Sequence, residues 1–195
     1  MKIMRSTKCT VSFATSKKRT ELVNIFAEYK RVVNFYVDYF WENPTHKMKL
    51  LEPIVNLPQI QQNTQTWFSY RMRMVAAREA IDMVNSVKST IEWNKEQLKN
   101  TINILKSKIA KIPKNCRKNR RKINNWHKML KSKNFQLLMI HPQKPKHNGE
   151  SINASDSIVS LKPANNPSCH FDAWLHMSCL GQKKIINIPI CFHFM

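Results

Sequence analysis

Residues 106–133 read KSKIAKIPKNCRKNRRKINNWHKMLKSK. The stretch holds twelve lysines and arginines and no aspartate or glutamate. The architecture turns on it, because Pro113 lacks a backbone donor and its ring clashes with the preceding turn, which ends a helix. Two helices are therefore predicted, one before Pro113 and one from Asn115 to Lys133. Paired, they make a helical hairpin with a charged tip.

Working backwards, the first of these helices begins near Trp67 and runs to Ile112. Met74, Ala77, Ile81, Val84 and Val87 recur at helical spacing and give it one apolar face. Residues 43–65 carry Pro44, Pro53 and Pro58 and the polar run QIQQNTQ, which reads as a linker loop. Before that loop, Leu22, Ile25, Phe26, Tyr29, Val33, Tyr36 and Phe40 repeat at helical spacing. Thr15 or Ser16 supplies the cap, and Pro44 stops the run. The aromatic segment VVNFYVDYFW belongs to this helix. Asn34 and Asp38 interrupt it, so it is read as core rather than as a membrane-facing stripe. Residues 5–14 alternate, with Cys9, Val11 and Phe13 on one side, and predict a half-buried strand.

Working forwards, strands are expected from Phe135 on. FQLLMI is a short apolar run, and Asn148-Gly149 is a strong hairpin-turn signal. SIVSL reads as the next strand. HFDAWLHMS follows with clean alternation: Phe171, Ala173, Leu175 and Met177 on one side, and His170, Asp172, Trp174, His176 and Ser178 on the other. Gly181 fits a turn. Ile186, Ile188, Ile190, Phe192 and Phe194 line one face of a last strand, and Pro189 predicts an edge position for it. The fold class is α+β: a small β-barrel or sheet built from both chain ends, with a long helical-hairpin insertion.

The charge is lopsided. The 195 residues carry 33 bases and 12 acids, a net +21. Such an excess repels itself unless a polyanion neutralises it, which makes nucleic acid the expected partner. Arg117, Lys118, Arg120, Arg121 and Lys122 are the expected phosphate contacts, because each phosphate neutralised releases a counterion. Trp126 either stacks on a base or packs against the other helix. Lys17, Lys18, Arg19, Arg71 and Arg73 are secondary candidates. No apolar run is long enough for a signal peptide or a membrane span. The five cysteines (Cys9, Cys116, Cys169, Cys179 and Cys191) are odd in number, which fits reduced thiols in a cytoplasm.

Enzymatic constellations are thin. Cys169, His170, His176 and Cys179 suggest zinc by type. Strand periodicity sends the two cysteines to one face and the two histidines to the other, which cannot close a tetrahedron. After Glu96 the acids are Glu150, Asp156 and Asp172, on separate segments, whereas a metal-dependent nuclease needs converging carboxylates. There is no phosphate-binding glycine loop. No catalytic residue, metal, cofactor or small-molecule substrate is expected.

Three stretches resemble the N-terminal half of TnpB, the OrfB-type protein of insertion sequences often labelled a transposase and related to type V CRISPR effectors. They are RSTKCTVSFATSKKRTELVNIFAEYKRVVNFYVDYFWEN (5–43), WFSYRMRMVAAREAIDMV (67–84) and FDAWLHMSCLGQKKIINIPICFHF (171–194). The resemblance implies a wedge-like β-barrel, here residues 1–15 and 135–195 and incomplete, with a helical recognition-lobe-like insertion at 16–134. It implies contacts to a guide RNA and an RNA–DNA duplex, recognised through shape and backbone. In that family a magnesium-dependent RuvC-like nuclease domain follows. Here the chain ends at Met195, so the expectation is a truncated, non-cleaving binding module. The alternative is a self-standing basic DNA- or RNA-binding regulator, a nuclease-dead derivative.

Overall fold

The computed structural model describes residues 8–43, 51–113, 117–154, 158–166, 168–178, 180–182 and 184–193. It is mixed helix and sheet. In order come β1 (Lys8–Thr10), α1 (Ser16–Glu42), α2 (Leu51–Asn56), α3 (Pro58–Thr64), α4 (Tyr70–Lys111), α5 (Arg117–Met139), β2 (Val159–Pro163), β3 (Ala173–Met177) and β4 (Ile186–His193). The chain divides into two compact units, residues 1–82 with 146–195, and residues 83–145.

The first unit holds the sheet. Its four strands are antiparallel and open, in the order β1-β4-β3-β2. Both chain ends contribute, since Cys9 of β1 pairs with Phe192 of β4. β1 is shorter than the predicted 5–14. Cys9 is exposed and Phe13 is 50% exposed, so the expected inward side is not buried. The chain turns after Thr10, where the Ala14 amide bonds the Val11 carbonyl at 3.0 Å. The alternation of β3 holds, with Ala173 and Met177 buried. Pro189 is not on an outermost strand, because β4 lies between β1 and β3. The β1 ladder reaches only Cys191–His193. Pro189 therefore lies where β4 has β3 alone beside it, and its missing N–H interrupts no ladder bond there.

α1 starts as expected, with the Thr15 side chain accepting from the Lys18 amide. Ile25, Tyr29, Val32, Val33, Tyr36, Val37 and Phe40 form its buried face; Leu22 and Phe26 of the predicted stripe are half-buried. Pro44 and Phe194 lie outside the described residues. Of the predicted linker at 43–65, residues 51–56 and 58–64 are instead helical. Pro53 falls in the first turn of α2 and Pro58 opens α3, positions where the missing donor has no intrahelical partner to lose. Leu51, Ile54, Val55, Ile60 and Thr64 are buried there. α4 buries Met72, Ala76, Ala77, Ala80, Ile81 and Val84. Met74 and Val87, expected on that face, are half-buried.

Asn148-Gly149 makes a turn without a hairpin, since no strand directly precedes it among the described residues. The Asn148 side chain accepts from the Glu150 amide at 2.9 Å, and Gly149 takes φ +87°. His147 is fixed by Asn34 in both directions: its amide donates to Asn34 Oδ1 and its carbonyl accepts from Asn34 Nδ2. The buried Tyr29 hydroxyl donates to Glu79 Oε2 at 2.5 Å. His147 Nε2 lies 3.1 Å from Glu79 Oε1, near enough for an ion pair though not aligned for a hydrogen bond. The 146–153 segment is thus clamped between α1 and the start of α4. Gly181, at φ +130°, is required by close approach: a Cβ there would sit 1.9 Å from the Trp67 carbonyl oxygen. The Leu180 carbonyl accepts from the Ser69 amide at 2.7 Å, tying the turn after β3 to the approach of α4.

The second unit is helical throughout its regular structure. FQLLMI, expected as a strand, continues α5 to Met139. Its apolar residues fit a helix because Leu137 extends the spacing set by Ile123, Trp126, Leu130 and Lys133. Those are less exposed than their neighbours, as are Lys88, Ile91, Lys95, Leu98, Ile102 and Leu105 on α4. Both series step by three and four residues, the spacing of one helical seam. Asn94, Gln97, Leu98 and Thr101 of α4 share a cleft with Gln136 and Met139 of α5.

Candidate nucleic-acid interface

Sixteen of the 33 bases and two of the 12 acids lie in residues 83–145. The remaining residues hold 17 bases and ten acids. On α5 four cations fall on the side opposite the seam residues. Arg120, Arg121, Lys128 and Lys131 are all exposed. At 3.6 residues per turn they share a sector of roughly 100° on the side away from the seam. From Arg120 to Lys131 the helix rises about 16 Å, the axial run of roughly five phosphates on one strand of a duplex.

Lys122 is exposed but lies toward the seam, where its ammonium sits 5.4 Å from the centroid of the Trp126 ring. Trp126 itself is half-buried on the seam. Arg117 and Lys118 open α5; their side chains lie outside the described residues.

The secondary candidates separate into three kinds. Lys17 is exposed, and Lys18 places its ammonium 5.0 Å from the centre of the Trp174 ring. Arg19 already has a structural task, donating from Nη2 to the Ser12 carbonyl at 2.6 Å and so bracing the turn between β1 and α1. Arg71 is exposed, whereas Arg73 is half-buried with a buried Nε. Its charge lies near the Tyr36 hydroxyl, whose ionisation burial opposes and Arg73 favours, burial being the stronger. Arg73 is thus partly taken up by the fold beside Tyr36. The signal for this lies in the sequence, since Arg73, Ala77, Ala80 and Val84 step by four, three and four.

Among the described residues no three His, Cys, Asp or Glu side chains converge as a metal site. Asp172 accepts from the Phe192 amide of β4 at 2.7 Å, and Glu150 accepts from Asn148 Nδ2 at 2.7 Å, so each carboxylate has a partner within the fold. Cys9 is exposed and Cys169 and Cys191 are half-buried free thiols; Cys116 and Cys179 lie outside the described residues. Among the described residues no helix is long and apolar enough to cross a membrane. Compared with protein-family models, curated proteins and solved structures, the chain matches none.

Proposed function

We propose that this chain binds nucleic acid as the guide-RNA and RNA–DNA-duplex-holding part of a TnpB-like, transposon-encoded protein, without cleaving it. One observation carries the binding: the exposed cations Arg120, Arg121, Lys128 and Lys131 on one side of α5, in a unit that has two acids to offset sixteen bases. Spread along a helix with their stems free, such charges gain most from a partner with regularly spaced phosphates. The kinship rests on the three TnpB-like stretches together with the mixed architecture, a sheet drawn from both chain ends and long helices between. In this proposal the open sheet is part of a wedge-like barrel. The second unit is a helical hairpin, supported by the matching seams on α4 and α5 and the cleft they share.

The test is a salt series. Replacing Arg120, Arg121, Lys128 and Lys131 by Ala should weaken duplex binding by about 100-fold or more at low salt. It should also reduce the slope of log K against log salt by roughly three to four, near one for each phosphate no longer neutralised. An unchanged slope would remove the interface. A divalent-metal cleavage assay on single- and double-stranded DNA tests the absence of chemistry, and metal-dependent cutting by the purified chain would end that part of the proposal.

A further inference from the structure

The sheet has a second face. Register places Lys162 of β2 beside Trp174 of β3, and His176 of β3 beside Asn187 of β4. These four residues point to the same side, opposite the face that buries Ala173, Met177, Ile188 and Ile190. With Lys18 they line a cleft of about 390 Å³. Trp174 is half-buried, and Phe171 meets its ring edge-on at 4.6 Å between centroids, which fixes the orientation of the indole. Lys18 lies over the π face at 5.0 Å. His176 Nδ1 is 2.6 Å from Asn187 Oδ1. An amide oxygen can only accept, so Nδ1 carries the proton, and in the neutral ring Nε2 is an acceptor.

From this juxtaposition we infer that the outer sheet face is a stacking platform for one unpaired base of a single-stranded nucleic acid. The inference rests on the proposal that the chain binds nucleic acid. Trp174 supplies the face on which the base stacks. Lys18 has a four-carbon stem, so its ammonium swings from the ring to the phosphate when a base arrives, while Lys162 holds the next phosphate. His176 Nε2 accepts from an N–H at the base edge, such as the N3–H of uracil or thymine. A duplex cannot use this platform, because stacking on neighbouring pairs covers the faces of its bases. The site therefore differs in kind from the cationic side of α5, which needs phosphates alone. Asp172 is the acid on this side of β3, and its Oδ2 is already engaged by the Phe192 amide.

The experiment uses the full chain and four fluorescent probes of equal length: oligouridylate, oligothymidylate, an abasic strand and a blunt duplex. Trp174→Ala should weaken binding of the base-bearing single strands by about 5- to 100-fold. It should leave the abasic strand and the duplex unchanged. Trp174→Tyr keeps a ring and should recover most of the loss, which separates stacking from misfolding. Loss on oligouridylate alone assigns the platform to RNA; loss on both base-bearing strands assigns it to an unpaired base of either kind. No loss on either one, or an equal loss on all four probes, overturns the platform. If the duplex still binds in that case, the proposed function stands without it. A wild-type chain that binds none of the four probes removes both.

Discussion

The two units of this protein solve the same problem, holding a shape in water, by different means. The unit of residues 1–82 and 146–195 does it by burial. Most of the buried apolar side chains lie there, from Ile25 and Tyr29 on α1 to Ile188 and Ile190 on β4, and polar clamps such as Asn34 with His147 add direction. In the unit of residues 83–145 the described buried apolar residues are Val84, Ile102 and Leu105. That unit relies on helix-forming sequence and one seam, and it carries like charges that repel one another. The first unit is held by its core, whereas the second leaves sixteen bases with two acids to offset them. Three changes would break or sharpen that contrast.

The largest effect is expected at Gly181. A methyl group there meets the Trp67 carbonyl oxygen at 1.9 Å and the Ser69 amide nitrogen at 2.8 Å, both backbone atoms. Neither can move without disturbing the bond from the Ser69 amide to the Leu180 carbonyl. Its φ of +130° is also one that an alanine resists. Gly181→Ala should cost about 3 kcal/mol or more of unfolding free energy. Gly149→Ala meets only the flexible Lys30 side chain, at 2.9 Å, and should cost about 1 kcal/mol. Chemical denaturation followed by hydrogen exchange separates the two. Exchange in residues 119–139 should stay as in the wild type in both variants. Equal costs at the two glycines would mean that the packing around Gly181 is wrong.

The next effect is on the buried tyrosine. All four tyrosines of the chain fall outside residues 83–145. Burial, and then the Glu79 carboxylate that its hydroxyl faces, push the Tyr29 ionisation far above the ordinary tyrosine range. Burial does the same, more mildly, at Tyr36. Above the unfolded value of 10.0, the unfolded chain loses protons that the folded chain keeps. Stability contributed by these groups is full below that value and declines as pH rises past it, by about 1.4 kcal/mol per pH unit for each group. Tyr29→Phe should remove about 1–2 kcal/mol at neutral pH, since Glu79 loses a donor, and should flatten the alkaline decline. A decline that Tyr29→Phe leaves unchanged would place its origin elsewhere.

What the sequence disclosed follows the range of the forces involved. α1, α4 and the alternation of β3 were legible because each is a local period. α2 and α3 were not, since Pro53 and Pro58 read as breakers until their first-turn positions are known. FQLLMI misled because a six-residue apolar run fits a strand or a helix, and only its phase with Ile123 and Leu130 decides. The cationic side of α5 was legible in composition, although its separation from the seam needed the burial pattern. The Trp174 platform was half-legible. Alternation put Trp174 and His176 on the polar face, but Lys162, Asn187 and Lys18 join them only through strand register and the approach of α1, which no local pattern encodes.

The smallest effect tests whether polar contacts in the first unit add to burial or merely follow it. Arg31 grips Glu28 with two donors, Nε at 2.9 Å and Nη2 at 2.8 Å, and Thr66 donates to the same carboxylate at 2.5 Å. Arg31 also reaches the Gln65 carbonyl at 3.3 Å, so the cluster pins the end of α3 to α1. The Arg31 bonds, assisted by Thr66, hold the Glu28 carboxyl below its ordinary value of 4.5 against the opposing effect of burial. A carboxylate with a depressed folded value contributes stability above the unfolded value and loses it as pH falls through the folded one. The wild type should therefore weaken on acidification below about pH 4.5, and Glu28→Gln should weaken less over the same interval. Because the Arg31 side chain is 46% exposed, solvent screens the pair, and the difference should be no more than about 1 kcal/mol. Urea titrations at a series of acid pH values measure it. Coincident curves for the two proteins would mean that the cluster fixes geometry without adding stability, leaving burial as the sole support of the first unit.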